Sequence, residues 1–521
     1  MTKIRGEGAE RWEKTYCPYC GVGCGLLAAT GTGAVTKIKG DVDHPSSFGD
    51  LCSKAVYLPE VLATPDRLLF PQVRTCQDEL FTRVSWDAAL TLLAQRFREI
   101  IAEHGPNAVA FYGSGQLTTE EYYVGNKLVK GFLGTNNFDT NSRLCMASAV
   151  AGYQSSFGSD GPPASYEDID VAESFLLIGS NMADCHPVIF KRIKKRKKAD
   201  PEKVTIIAVD PRRTETADFA DLHLSIRPGT DIALLNSMLH VLIEQSVVDL
   251  DFVERHTSGF CELKTTAKKY PPAVTEKICG VPECLIVEAA LIFGRAQSAL
   301  TLWSMGINQS TVGVYKNNAI NNLHLATGKI GKPGCGPFSL TGQPNAMGGR
   351  EVGGLSHMLP GYRLVRDPTH RGEVAQAWGV SAERISAEPG LAALEQFEAL
   401  ADGKLRAIWI LCTNPAVSLP NTDLVEKALR QAELVVVQDA YHPTATTRLA
   451  HVILPAAQWS EKEGVMTNSE RRITYMPKLT DPPGEALPDW RILTLFARQM
   501  GFADAFPYRS AEEIFSEFAK L

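Results

Sequence analysis

No run of apolar residues in this 521-residue chain approaches the length of a membrane span. There is no excess of positive charge either. Lys and Arg number 53 against 59 Asp and Glu, a net charge of −6, so nucleic acid is not expected as the main partner. The opening residues, MTKIRGEGAERWEK, lack an apolar core and paired arginines. They read as neither a secretory nor a twin-arginine signal, which makes the cytoplasm the simplest location. No turn carries G-x-G-x-x-G or G-x-x-x-x-G-K-[ST], which argues against NAD or ATP bound in the usual way. What is present is a globular composition, 44% hydrophobic and 21% charged. The length exceeds one ordinary core, so about two to four domains are expected.

Twelve cysteines are many for disulfides in a reducing compartment. Four are tightly spaced as Cys17-x2-Cys20-x3-Cys24-x27-Cys52 in YCPYCGVGCGL and GDLCSKAVYL. Four thiolates bind either one zinc ion or a [4Fe–4S] cluster. Three ligands from one loop and one from afar favour the cluster, without deciding it. Gly21, Gly23 and Gly25 let the backbone wrap a bulky group. Lys54, alone, is a surface charge; beside a cluster its ammonium would bridge to the electron acceptor. Cys76, Cys185, Cys261, Cys279, Cys284, Cys335 and Cys412 read as ordinary small residues, and so, by itself, does Cys145.

Beyond the cysteines the pattern alternates. Ser85 caps a helix with Trp86, Leu90, Leu93, Phe97 and Ile101 at helical spacing, and Thr118 and Glu121 form a capping box. Apolar runs at AVAFYGSGQ, FLLIGSN, TIIAVDPRR, ALTLWSMGINQ, RAIWILCTNP and ELVVVQDAYH read as buried strands ending in polar turns. The fold class is therefore α/β and multidomain, with mainly parallel sheets covered by helices on both faces and a small N-terminal cysteine domain. Ligands of such sheets bind beyond the carboxyl ends of the strands. Gln116, Asn181, Asp210, Gln309, Asn414 and Asp439 are the strand-end candidates. Each alone reads as a cap or turn; together they point to a large polar ligand. KRIKKRKK (191–198) holds seven basic residues in eight positions, on a crossover helix. It reads as a solvated helix face or as a docking patch for an acidic electron donor.

The cysteine spacing with Lys54, NSRLCMASAVAGY (141–153), GSNMADCHP (179–187), DPRRTETAD (210–218), RPGTD (227–231) and LATGKIGKPGCGPFSLTGQPNAMGGREVGG (325–354) resemble the molybdenum bis-pterin oxidoreductases. The nearest branch is that of the cytoplasmic assimilatory nitrate reductases of bacteria. The resemblance implies a [4Fe–4S] cluster on Cys17, Cys20, Cys24 and Cys52, and molybdenum held by two molybdopterin guanine dinucleotides. It makes Cys145 the protein ligand of the metal, a soft thiolate. It places Lys54 between cluster and pterin, and Gln116 and Asn141 near the molybdenum. Gly179, Ser180, Asn181, Asp210, Gly229, Thr230, Asp231, Met305, Gln309, Asn414, Gln438, Asp439, Lys462 and Asp489 match contacts to the dinucleotide arms. Arg350 matches the family's active-site arginine, suited to a planar anion, and Arg212 is a further anion candidate.

Met146 follows Cys145 where related formate dehydrogenases carry histidine. A thioether moves no proton at neutral pH, which favours nitrate over formate. In GINQSTVGVYKNN (306–318), periplasmic enzymes tend to have arginine near Val312, and its absence points to the assimilatory branch. The implied domains are 1–70 around the cluster, 71–140 with 336–521, and 141–335. The family continues with a β-barrel-like C-terminal domain of about 120 residues or more. This sequence stops before it, so a truncated chain or a second polypeptide is expected. The implied electron donor is a ferredoxin, a flavodoxin or a flavin reductase subunit. The alternatives are formate oxidation on the same architecture, and a truncated, non-catalytic metal-binding chain.

Overall fold

The computed structural model describes residues 11–31 and 33–521; most of the segment read for an export signal, residues 1–10, lies outside them. Two sheets, one parallel and one mainly parallel, organise the chain. The first has five strands in the order Leu222–Leu224, Thr205–Val209, Ser174–Ile178, Ala299–Trp303 and Gly336–Ser339, all parallel. The second has seven, in the order Thr82–Arg83, Gln72–Val73, Val452–Pro455, Leu434–Asp439, Ala407–Leu411, Val109–Gly113 and Phe138–Thr140. Its last five strands are parallel, and the first two add an antiparallel edge. Ser174–Ile178, Ala299–Trp303, Ala407–Leu411 and Val109–Gly113 are buried at every position, which is why they read as continuous apolar runs rather than alternating ones.

The helices between strands follow their local signals. Ser85 Oγ accepts the Ala88 N–H and starts Trp86–His104, whose Leu90, Leu93 and Phe97 are buried. The Thr118–Glu121 capping box starts Thr119–Asn126. The helix continues as a π-helical turn over Lys127–Leu133. Four short strands, Phe138–Thr140, Leu222–Leu224, Gly336–Ser339 and Val452–Pro455, are absent from the sequence reading, since three or four residues carry no period. Gly336–Ser339 pairs with Ala299–Trp303, so the five-stranded sheet runs past the expected boundary at 335.

An antiparallel three-stranded sheet, Arg11–Tyr16, Gly25–Gly31 and Ala34–Gly40, carries the cysteine loop between its first two strands. The hairpin Gly464–Thr467 with Ile473–Met476 packs beside it. Among the described residues no helix is long and apolar enough to cross a membrane.

Candidate metal and cofactor site

The loop from Cys17 to Gly25 is closed by the Cys17 N–H on the Cys24 carbonyl at 2.9 Å. Gly23 sits at φ +71°. At Gly21 a Cβ would lie 2.3 Å from the Thr341 carbonyl oxygen and 2.8 Å from Ser469 Oγ, so no side chain fits. Cys52 stands just before the short helix Ser53–Val56, and Lys54 on that helix is exposed. Burial pushes the thiols of Cys17, Cys20 and Cys24 up, and each is raised further by cysteine neighbours within the set of four. The Lys54 charge reaches Cys17 and Cys20 and opposes this. Four half-buried or buried thiols that repel as thiolates fit a cationic iron–sulfur core.

Cys145 ends the short helix Ser142–Cys145, and the backbone N–H groups of Gly342 and Gln343 lie near enough to its sulfur to favour the thiolate. A Cβ on Gly342 would come within 3.2 Å of that sulfur, so glycine is what lets the backbone approach. Burial raises the Cys145 thiol; the Gly342 N–H, the Arg350 charge and the Gln343 N–H pull it back toward the thiolate. The same strap is clasped to the cysteine loop. Gly21 donates its N–H to the Gly342 carbonyl at 3.4 Å, Ser469 to the Gly21 carbonyl at 2.8 Å, and Thr341 to Ser469 Oγ at 2.9 Å. Near Cys145, Thr341 Oγ1, Gln343 Oε1 and Ser142 Oγ are buried with no protein partner. Unpaired polar atoms around a cradled sulfur fit a polar cofactor at this place.

Arg350, on the helix Ala346–Glu351, is buried against Asp160, Nε to Oδ2 at 2.7 Å, and also contacts Met347 Sδ. The sequence suits this guanidinium to a planar anion; the structure adds that a buried carboxylate already offsets its charge. Asp160 left no signal in the sequence, because a lone Asp in a Gly-rich loop reads as a turn. The thioether of Met146 points into the core beneath the five-stranded sheet, near Asn308 Nδ2 at 3.5 Å and Ser339 Oγ at 3.4 Å.

The strand-end candidates divide. Gln309, after the half-buried Met305, donates to the Leu144 carbonyl at 2.9 Å, and Asn141 Oδ1 accepts the Gly115 N–H at 3.1 Å, so both frame Cys145. Gly179, at φ +59°, abuts Gly306 and joins two strand ends. Ser180 accepts from Ser304 Oγ at 3.1 Å, and Asn181 from Thr216 Oγ1 at 2.8 Å. Asp210 caps its own turn through the Arg212 N–H at 2.8 Å. Gly229, at φ +85°, precedes Thr230, which donates to the Arg227 carbonyl, and Asp231, which is ion-paired with buried Lys316 at 2.6 Å. Asn414 accepts from Thr446 Oγ1 at 2.6 Å.

Tyr19, Gln116, Cys412, Asp439, Tyr441 and Lys462 line a cavity of about 260 Å³ between the cysteine loop and the seven-stranded sheet. Burial pushes the Asp439 carboxyl up to about 6. Behind the cavity lies a closed polar cluster. Lys462 Nζ meets both oxygens of Glu121 at 2.8 Å and Asp489 Oδ2 at 2.7 Å. Gln438 donates to Asp489 Oδ1 at 2.6 Å and accepts from Trp409 at 3.2 Å. Cys412, at φ +53°, contacts Asp489 Oδ1 at 3.1 Å. Gln438 and Asp489 are wholly buried and hold Lys462 rather than face the cavity. Glu121 was legible only as a helix cap, and Cys412 only as an ordinary cysteine.

Comparison with known proteins decides the family. The molybdopterin oxidoreductase family matches residues 67–499, and the molybdopterin oxidoreductase Fe4S4 domain matches residues 10–63. The chain belongs to the molybdopterin oxidoreductase family. The Fe4S4 domain match spans all four cysteines of the motif and supports an iron–sulfur cluster over a zinc clip. This molybdopterin oxidoreductase is 49% identical to a nitrate reductase of Synechocystis over 98% of its length and 72% of the relative's. It is 48% identical to a nitrate reductase of Symbiobacterium thermophilum over 99% of its length and 69% of the relative's. A periplasmic nitrate reductase of Desulfovibrio desulfuricans is 44% identical over 98% of the chain and 69% of that relative. The acetylene hydratase of Pelobacter acetylenicus shares the fold, with a TM-score of 0.81 at 24% identity over 98% of this chain and 72% of that one. The chain is thus a molybdenum oxidoreductase with places for a [4Fe–4S] cluster and a molybdenum–pterin cofactor.

Proposed function

We propose that this oxidoreductase reduces nitrate to nitrite in nitrate assimilation in the cytoplasm, with molybdenum on two molybdopterin guanine dinucleotides. The observation that carries the reading is the pairing of Cys145 with Arg350 beside it and a thioether, not a proton carrier, at position 146. Relatives named nitrate reductase at 43–49% identity support it. When bound, the molybdenum group supplies two-electron oxygen-atom transfer. Cys145 would hold it, with its sulfur oriented by the Gly342 and Gln343 N–H groups. Arg350 would orient the planar anion. With its charge offset by Asp160, the guanidinium would act through directed N–H donors rather than net charge. Cys17, Cys20, Cys24 and Cys52 would hold a cluster that takes electrons singly from an external carrier, with Lys54 beside it. Gln116, Asp439 and Lys462 would line the place of one dinucleotide arm, and Gly179 to Asn181, Asp210 and Gly229 to Asp231 that of the other. The domains would be 1–70, 71–140 with the segment after 339, and 141–339.

A second reading, formate oxidation, has support in an F420-dependent formate dehydrogenase subunit alpha of Methanocaldococcus jannaschii, 39% identical over 97% of the chain. The test is nitrite formation by the cofactor-loaded protein with a reduced dye. Wild type is expected to form nitrite, and Cys145→Ala to lose at least about 100-fold while keeping the cluster's EPR signal. Formate oxidation without nitrate reduction would reverse the choice.

A further inference from the structure

The basic helix Pro187–Ala199 resolves into faces. Arg192 turns inward, with a fork on Asp170 and a bond to the Pro45 carbonyl at 3.2 Å, and Arg196 bonds the Ala172 carbonyl at 3.0 Å. Lys194 and Lys197 lie on another side, near Glu215 and Asp221. Lys191, Lys195 and Lys198, spaced i, i+4, i+7, form one exposed stripe. Lys195 pairs with Asp50. Lys191 spends its ammonium on the neutral Leu51 carbonyl at 2.6 Å, so no carboxylate offsets it there. Three cations therefore face one carboxylate, on a chain whose net charge is −6.

This stripe lies against the segment that delivers the fourth cluster cysteine. Asp50 and Leu51 immediately precede Cys52, so Lys191, on the Leu51 carbonyl, and Lys195, on the Asp50 carboxylate, reach residues whose Cα atoms lie within about 8 Å of the Cys52 Cα. Two large apolar side chains stand open beside it. Phe48 is 53% exposed with the Arg192 guanidinium 5.1 Å from its ring, and Val42 is 68% exposed against Gly49. A small apolar contact with the lysine stripe on one side and the Lys14–Asp43 pair beside Val42, next to the half-buried Cys52, has the make-up of a transient, charge-steered interface.

We propose that Lys191, Lys195 and Lys198, with Phe48 and Val42, form the docking surface for a small acidic one-electron carrier protein, which delivers its electrons at the Cys52 side of the cluster. The proposal rests on the nitrate reading for its need of electrons. The stripe supplies long-range attraction, and the apolar pair supplies the close contact.

The experiment compares the loaded wild type with Lys191→Glu/Lys198→Glu and the milder Lys191→Gln/Lys198→Gln. The electron sources are reduced methyl viologen and an acidic [2Fe–2S] ferredoxin. The charge-reversed variant is expected to lose about 10-fold in carrier-driven kcat/KM at low salt, with a flattened salt dependence, while dye-driven rates and the cluster EPR signal stay unchanged. The Gln variant should fall between. An unchanged carrier-driven rate, or an equal loss with dye and carrier, overturns the proposal. If dye-reduced wild type makes no nitrite, the nitrate reading fails by itself. The Kd for the oxidised carrier, measured by titration on all three proteins, then still tests the surface: equal affinities reject it.

Discussion

Asp160 and Arg350 show what single residues contribute at the candidate centre. Their side chains are 1% and 3% exposed, and each is the other's only ionic partner among the described residues. A buried guanidinium stripped of its carboxylate bears its full desolvation cost, so Asp160→Asn is expected to lower stability by about 3–5 kcal/mol. Urea unfolding checks it, and a loss below about 1 kcal/mol would mean the pair is not formed in solution. Cys145 illustrates the limit of single-residue reading in the opposite sense. Alone it is one cysteine among twelve; its sulfur becomes distinctive through the Gly342 and Gln343 N–H groups, which come from almost 200 residues later.

The helix Thr119–Asn126 places two carboxyls of different fate side by side. Both are buried and both are pushed up by burial, but Glu121 is tied to Lys462, whereas Glu120 has both oxygens on the Val465 N–H at 3.1 Å. Burial pushes the Glu120 carboxyl up from 4.5 to about 7. Between those values the native state holds more protons than the unfolded chain, so Glu120 makes stability fall as pH rises through that window. Glu120→Gln removes this effect. The change in unfolding free energy from pH 5 to pH 8 is expected to be more favourable in the variant by about 1–3 kcal/mol. Parallel pH profiles for the two proteins would reject it. Buried His324 and His357, lowered to about 3 and about 4, act with the opposite sign but are common to both proteins. Caps and central strands were legible in the sequence because their causes are local: Ser85, the Thr118–Glu121 box and the all-apolar runs. The short strands and the sorting of the basic helix into inward arginines and an outward lysine stripe were not, because partners distant in sequence set them.

At the scale of the whole molecule, two sheets and a cysteine domain meet at one strap, Thr341–Gln343, which touches Gly21 on one side and Cys145 on the other. A chain built this way should carry both metals together. Protein purified from molybdenum-replete cells is expected to hold about four irons and one molybdenum by elemental analysis, and zinc without molybdenum would end the cofactor reading. By itself the sequence determined the α/β class, the cysteine set and, through its motifs, the family, since these depend on residue type and spacing along the chain. Only the tertiary structure decided that Asp160 offsets Arg350, that Gln438 and Asp489 hold Lys462 instead of facing the cavity, and that Ser469 clasps the cysteine loop to the Cys145 strap. Those choices depend on which polar groups burial brings face to face, and separation along the chain carries no trace of that.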